Sequence, residues 1–226
     1  MKFFKLWANA IESETPQERS FLAAWQQRTV QRIAPEIPQS VAAADLTKIS
    51  VMGAMIAVAA LFGCWWEAWL VLLVPVGVAI NWFGAAVDGP LGAYRQEAGP
   101  KRGLTEHLAD LFSQLIVIVA YGFSPFLSLQ SSVVILSCYL LFSTYTFIRV
   151  TAGRPGQMAL IGIGAAEFRI LMAGWPFAAV ALGLARSAPS SFSTLDYAII
   201  LLAAVALISL TLKIIVDGLI ITSARG

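Results

Sequence analysis

From Ile49 to Val87 the chain reads ISVMGAMIAVAALFGCWWEAWLVLLVPVGVAINWFGAAV, with Glu67 as its only charged residue. A helix needs roughly 20 mostly apolar residues to cross a bilayer, and this stretch holds two such lengths, Ile49–Trp66 and Ala68–Val87. The break between them falls at Trp65-Trp66-Glu67. Tryptophan settles at membrane–water boundaries, so the break predicts a tight hairpin between two spans.

Four further apolar runs follow, Leu108–Leu129, Ser132–Val150, Phe168–Ala185 and Leu195–Ile221, making six expected spans. They are too long for strands and lack period-two alternation. Composition agrees: 58% of the 226 residues are hydrophobic and 12% are charged, with mean hydropathy +0.77. Soluble domains carry about 25% charged residues, so a soluble or disordered chain is excluded. The expectation is an all-α integral membrane protein with six transmembrane helices. Fifteen basic and thirteen acidic residues leave a net charge of +2, too balanced to suggest nucleic acid as a partner. Cys64 and Cys138 both lie in apolar runs, and His107 is the only histidine, so neither a disulfide framework nor a histidine cluster is expected.

Six spans place both termini and the second and fourth loops on one side. Sorted that way, 14 of the 15 basic residues share a face, with Arg186 alone opposite. The positive-inside rule makes that face cytoplasmic, in what is expected to be a bacterial inner membrane.

Residues 1–48 form the expected N-terminal segment and residues 49–222 the membrane domain. Lys2 and Lys5 precede too short an apolar stretch for a cleaved signal, and Glu12, Glu14 and Glu18 follow at once. Phe3, Phe4, Leu6 and Trp7 are expected in the headgroup layer. Over Phe21–Ile33 the residues Phe21, Leu22, Trp25 and Val30 fall near one helical face beside Arg28 and Arg32. That pattern predicts an amphipathic helix along the cytoplasmic interface, the alternative being a solvated linker helix.

Ionisable residues inside spans are costly, so those present are informative. Asp88 is expected to close the second span, with Glu106 and Asp110 opening the third at the same depth. Glu106 and Asp110 are four residues apart and share a helical face. The connection between the spans contains Gly89, Pro90, Gly92, Gly99, Pro100 and Gly103, and so can fold Asp88 against that face. Three converging carboxylates repel one another, which calls for either a divalent cation or a protonated acid. Capping of the third helix is the structural alternative for Glu106 and Asp110.

The run from Asn81 through Asp88-Gly89 to Arg95, continuing to Glu106 and Asp110, resembles the class I CDP-alcohol phosphatidyltransferase family. That family's signature is D-x-x-D-G-x-x-A-R-x8-G-x3-D-x3-D. Counted without a gap from Asp88, its last two acidic positions fall on Glu106 and Asp110. The segment Ala44-Asp45-Leu46-Thr47 is similar to the family's P-D-x-L-T entry to the first span. Gly164-Ala-Ala-Glu167-Phe-Arg169 is similar to a G-P-x-E-x-R segment before the fifth span. The likeness covers roughly residues 20–222.

Departures are specific. The first aspartate is Ala85, the A-R pair is Gly92-Ala93, and the glycine position holds Arg102. A one-residue shift restores the glycine as Gly103 but sets His107 and Leu111 on the acidic positions. The ungapped register is preferred because it keeps two acids. Arg95 lies two residues beyond the missing arginine and would project roughly 200° away on a helix.

The resemblance implies transfer of a phosphatidyl group from CDP-diacylglycerol to a small alcohol with release of CMP. Asp88, Glu106 and Asp110 would hold magnesium or manganese, and Asp110 would also be the catalytic base. Gly89, Gly92 and Arg102 would line the nucleotide, and a homodimer is implied. Arg149, Arg154 and Arg169 are candidates for an acceptor-phosphate or lipid-headgroup pocket, or else ordinary positive-inside residues. Lys213 and Asp217 are expected to pair at four-residue spacing. The competing reading, from the lost aspartate and arginine, is a catalytically degenerate relative that binds lipid or nucleotide or acts as a scaffold. A small transporter ranks last.

Overall fold

A computed structural model of the chain describes residues 22–96, 100–151, 164–185 and 193–223. Among the described residues every regular element is helical: α1 (Ala23–Ile33), α2 (Ala43–Gly63), α3 (Leu73–Tyr94), α4 (Pro100–Gly122), α5 (Leu129–Thr151), α6 (Ala165–Ala181) and α7 (Thr194–Ser223). Short 3₁₀ turns precede the α2 segment, at Ala34–Glu36, and α3, at Ala68–Leu72. Five helical stretches are long and apolar enough to cross a membrane: Ala43–Gly63, Ala68–Tyr94, Gly103–Gly122, Leu129–Ile148 and Thr194–Leu212.

The fifth expected run, Phe168–Ala185, coincides with α6, which has only 17 residues. Its limits are set by caps that hydropathy does not register. Glu167 accepts the Gly164 N–H at 2.9 Å at the start. At the end Gly183 adopts φ +66°, with Leu184 N–H bonding to Ala179 O and Gly183 N–H to Val180 O. That is a Schellman stop, and glycine takes the left-handed conformation without a Cβ clash.

α2 and α3 form the expected hairpin, and glycines make it close. A Cβ on Gly53 would lie 2.4 Å from Asn81 N, one on Gly77 would lie 2.5 Å from Ala57 N, and one on Gly84 would lie 2.5 Å from Leu46 O. The two backbones therefore touch along the seam, as small residues in membrane helices allow. The main core gathers Ala54, Ala57, Leu61 and Val74 from this hairpin with Val117, Ile118 and Tyr121 of α4 and Met172 and Ala179 of α6. Tyr121 donates its hydroxyl to Met172 O, tying α4 to α6.

Helix limits differ from the hydropathy reading at the end of the bundle that carries the acids. α2 starts at Ala43 rather than Ile49, with Asp45 accepting the Ala42 N–H at 3.1 Å. α3 runs on through Pro90 to Tyr94, so Asp88, Gly89 and Gly92 are helical and not in a loop. The reason is burial: Leu91 and Val87 pack against Val30, Ala43 and Leu46, which outweighs the hydrogen bond that Pro90 forfeits. α4 likewise begins at Pro100. Glu106 is thus nearly two turns inside the helix, too deep to cap it.

The amphipathic segment is α1, docked on α3. Trp25 stacks on Trp82 with ring centroids 5.8 Å apart, and Val30 is buried. Polar clamps hold its start and the segment that follows it toward α2. Glu167 accepts the Leu22 N–H at 2.8 Å. Arg95 donates to the carbonyls of Ile37 and Pro38, at 3.0 and 2.9 Å, and to that of Val41.

The opposite end is closed by side-chain to backbone bonds. Trp65 Nε1 donates to Phe123 O at 2.7 Å and Trp175 Nε1 to Phe126 O at 3.0 Å. Asp196, fully buried at the start of α7, accepts from the hydroxyls of Ser128 and Ser131 and from Ser193 N–H at 2.6 Å and Oγ at 3.1 Å. These hydroxyl and backbone donors help to hold that carboxylate in place.

Candidate functional site

The start of α2, the end of α3 and the start of α4 meet at one end of the bundle around a cavity of ≈280 Å³. Thr47 and Ser50 of α2, Ala85, Asp88 and Gly89 of α3, and Gly103, Glu106, His107, Ala109 and Asp110 of α4 line it. All three sequence-predicted carboxylates therefore face one space. Each helix supplies its lining residues at i, i+3 or i+4 spacing, as a single helical face must.

Asp88 is 5% exposed. Its Oδ2 accepts the Thr47 hydroxyl at 3.1 Å and its Oδ1 the Gly89 N–H at 2.7 Å. Glu106 lies across from it, since a Cβ built on Gly89 would be 3.7 Å from Glu106 Oε2. α4 thus brings its Glu106 carboxylate into van der Waals range of α3 at Gly89. Asp110 accepts a hydrogen bond from Arg169 Nη2 of α6, an ion pair in which the arginine side chain is 7% and the aspartate 33% exposed.

The predicted base and one predicted anion-binding residue are therefore each other's partner. Arg95 points away from the cavity into its carbonyl clamp, as its helical angle implied. Gly92 is buried on α3 but does not line the cavity, so its expected approach to a nucleotide is not built into this arrangement. Arg154 and the side chains of Arg102, Arg149, Lys213 and Asp217 lie outside the described residues, as do Phe3, Phe4, Leu6, Trp7 and Phe21.

Uncharged residues complete the site, and a scan for charges in the spans passes over them. Below Asp88 toward the bundle interior, Asn81 Nδ2 donates to Ser50 O at 3.0 Å and Ser50 Oγ at 2.9 Å. Gln114 Nε2 donates to Asn81 Oδ1 at 3.1 Å. The signal in the sequence is the presence of Ser50, Asn81, Ser113 and Gln114 in otherwise apolar runs. His107 stacks on Phe147 of α5 with centroids 5.4 Å apart and also lines the cavity. In the shifted register Leu111 would be a site residue, yet it is not in the lining.

Among the described residues no group of three or more His, Cys, Asp or Glu side chains is arranged to hold a metal ion. Ala85 faces the cavity where the family signature carries an aspartate, and Asp110 is engaged by Arg169. This donor set does not fit a two-metal centre. Magnesium, however, is commonly held by one or two carboxylates together with substrate phosphates, and Asp88 and Glu106, opposed across Gly89, fit one ion of that kind. Comparison with protein-family models, with curated proteins and with solved structures returned no match to this chain.

Proposed function

We propose that this chain is a CDP-alcohol phosphatidyltransferase of six spans, with α6 crossing as the fifth in addition to the five longer helices, and with α1 lying along the cytoplasmic interface. It moves a phosphatidyl group from CDP-diacylglycerol to a small alcohol and releases CMP. The observation that carries this reading is the meeting of Asp88, Glu106 and Asp110 in one cavity, at the spacing of the family's signature. The shifted register finds less support, because only His107 of its pair reaches the cavity. Orientation follows the basic residues, so the cavity opens to the cytoplasm with both termini on that side of a bacterial inner membrane.

At ≈280 Å³ the cavity is just below the range of about 300–1,000 Å³ usual for a small-molecule site. It receives the phosphates and the reacting hydroxyl, while the acyl chains stay in lipid. The alcohol oxygen attacks phosphorus, the bond to the CMP oxygen breaks, and the hydroxyl proton passes to Asp110. Arg169 occupies Oδ1, so Oδ2 is the accepting oxygen. Thr47 and the Gly89 N–H fix the Asp88 carboxylate. Asp88 and Glu106 would hold one magnesium or manganese ion, which supplies positive charge to the phosphate oxygens.

A second reading has its own observation. Ala85 in the lining and the Asp110–Arg169 pair favour a degenerate relative that binds lipid or nucleotide, or acts as a scaffold, without turnover. Incubation of purified protein with CDP-diacylglycerol, manganese or magnesium and a panel of alcohols separates the two. CMP release above that of Asp110→Asn supports the transferase. Release no greater than that variant's, with CDP-diacylglycerol still bound, supports the degenerate relative.

A further inference from the structure

α1 is held against α3 in a fixed register. Arg95, just past the end of α3, bonds to the carbonyls of Ile37 and Pro38, 58 and 57 residues before it. Trp25 stacks on Trp82 at the same offset, and between the two contacts Val30 packs with Val87 and Leu91. A constant offset means that α1 follows α3 in the same direction. It sets Arg28 level with Ala85 and Arg32 level with Gly89. Ala85 and Gly89 both line the acidic cavity.

That level is a membrane boundary. The span that contains α3, Ala68–Tyr94, has 27 residues, about 40 Å at helical rise against ~30 Å of hydrocarbon. Trp66 and Trp69 are exposed at its far end and mark the opposite boundary, where tryptophan settles. Counted from Trp69, the hydrocarbon ends roughly 20 residues on, near Asp88 and Gly89. Arg28 and Arg32 therefore sit at the edge of the hydrocarbon, from which long side chains reach the lipid phosphates. Trp25 lies about 10 Å below that edge, the depth to which an interfacial helix sinks.

At that edge α1 turns one stripe outward. At about 100° per residue Trp25, Arg28 and Arg32 fall within roughly 60° of one another, and the buried Val30 and Ala34 fall on the opposite side. Trp25 and both arginines are exposed. Four residues apart, the arginines stand one above the other. The helix carries no acidic residue, and the nearest in sequence is Glu36, exposed in the turn that follows.

Paired guanidinium groups at this depth meet phosphate oxygens, which they bind two at a time, while the Trp25 ring meets the upper acyl chain. We infer that Arg28 and Arg32 form a headgroup site for an anionic phospholipid on the outer face of α1, level with the acid-lined cavity. A zwitterionic headgroup brings an ammonium that opposes the arginines, so the site selects net negative lipids. The depth and side of this site rest on the proposed reading of α3 as a span with its Asp88 end cytoplasmic. The site needs no transfer reaction.

The full-length protein in nanodiscs of phosphatidylcholine with a minor share of phosphatidylglycerol tests this, with either lipid brominated on its acyl chains. Bromine quenches tryptophan at short range, and subtracting the emission of Trp25→Phe isolates Trp25. Brominated phosphatidylglycerol is expected to quench Trp25 at least several-fold more than its share of the bilayer accounts for, since each arginine raises anionic-lipid occupancy roughly fivefold. The excess disappears in Arg28→Gln/Arg32→Gln, whose unfolding midpoint stays that of the wild type because both side chains are exposed. An equal excess in the double variant overturns the inference, and so does quenching of Trp25 by neither lipid. Native mass spectrometry of the wild type released from nanodiscs holding equal parts of the two lipids needs no variant. Retained lipid no richer in phosphatidylglycerol than the bilayer also overturns the inference. A chain that releases no CMP yet passes both measurements keeps the headgroup site and loses the transferase reading, and an active chain that fails them loses the headgroup site alone.

Discussion

Arg169 of α6 donates through Nη2 to Oδ1 of Asp110 on α4, an ion pair across 59 residues of chain in which the arginine is almost wholly buried. It joins the acid-lined cavity to a helix that contributes no lining residue. Removing one member of a buried pair leaves an uncompensated charge.

Arg169→Met is therefore expected to destabilise the protein. A fully buried partner would put the loss at 3–5 kcal/mol, but Asp110 is a third exposed, so about 1–3 kcal/mol is the expected range. Unfolding of Arg169→Met, Asp110→Asn and the double variant would give the coupling. Additive effects would mean that the pair carries no interaction energy.

The α2–α3 seam predicts a sharp contrast between glycines. At Gly53 and Gly77 a Cβ would meet neighbouring backbone at 2.4 and 2.5 Å, and backbone cannot move aside as a side chain does. Gly53→Val or Gly77→Val should cost about 3 kcal/mol or more, through overpacking that parts the hairpin. At Gly174 of α6 a Cβ would have nothing within 4 Å, so Gly174→Ala should be neutral or stabilising by roughly 0.5–1 kcal/mol. Thermal unfolding of the three variants checks the order.

Asp196 is held by neutral donors that include a backbone N–H. In Asp196→Asn one carboxylate oxygen becomes an NH₂ facing donors, which leaves a mismatch worth about 1.5–3 kcal/mol, the range for bonds to a charged group. Hydrogen exchange at the start of α7 should quicken in that variant while the α2–α3 seam stays protected. Uniform protection across both regions would count against a role for Asp196 in anchoring α7.

Ala85 occupies the cavity lining at the position of the signature's first aspartate. Ala85→Asp is expected to add an oxygen donor there and to tighten manganese binding at least tenfold, about 1.4 kcal/mol. Manganese EPR titration reads the effect directly. Unchanged affinity would mean that Asp88 and Glu106 do not hold a metal ion.

Arg95 bridges three backbone carbonyls of the segment that leads into α2. Arg95→Ala should loosen that segment and open it to proteolysis near Pro38 at least several-fold faster than in the intact protein, since local opening follows lost local bonds. Limited proteolysis followed by mass spectrometry locates the cuts.

How far the sequence reaches is clearest at particular residues. Helicity, residence in a membrane and the facing of Asp88, Glu106 and Asp110 follow from hydropathy, from 3.6-residue periodicity and from spacing, all of which act along the chain. The same local rules place Arg95 away from the cavity. They do not show that α3 continues through Pro90, because that depends on Leu91 and Val87 finding Val30 and Leu46 to pack against. Nor do they reveal that Glu167 reaches Leu22 and Arg169 reaches Asp110, both distant in sequence. The Ser50–Asn81–Gln114 chain is likewise invisible locally, since each member reads as an isolated polar residue in an apolar run. Composition and periodicity sum over neighbours along the chain and so define the helices and their polar faces. Which polar atom meets which, and which is left without a partner, is decided only when helices from separate parts of the chain pack together.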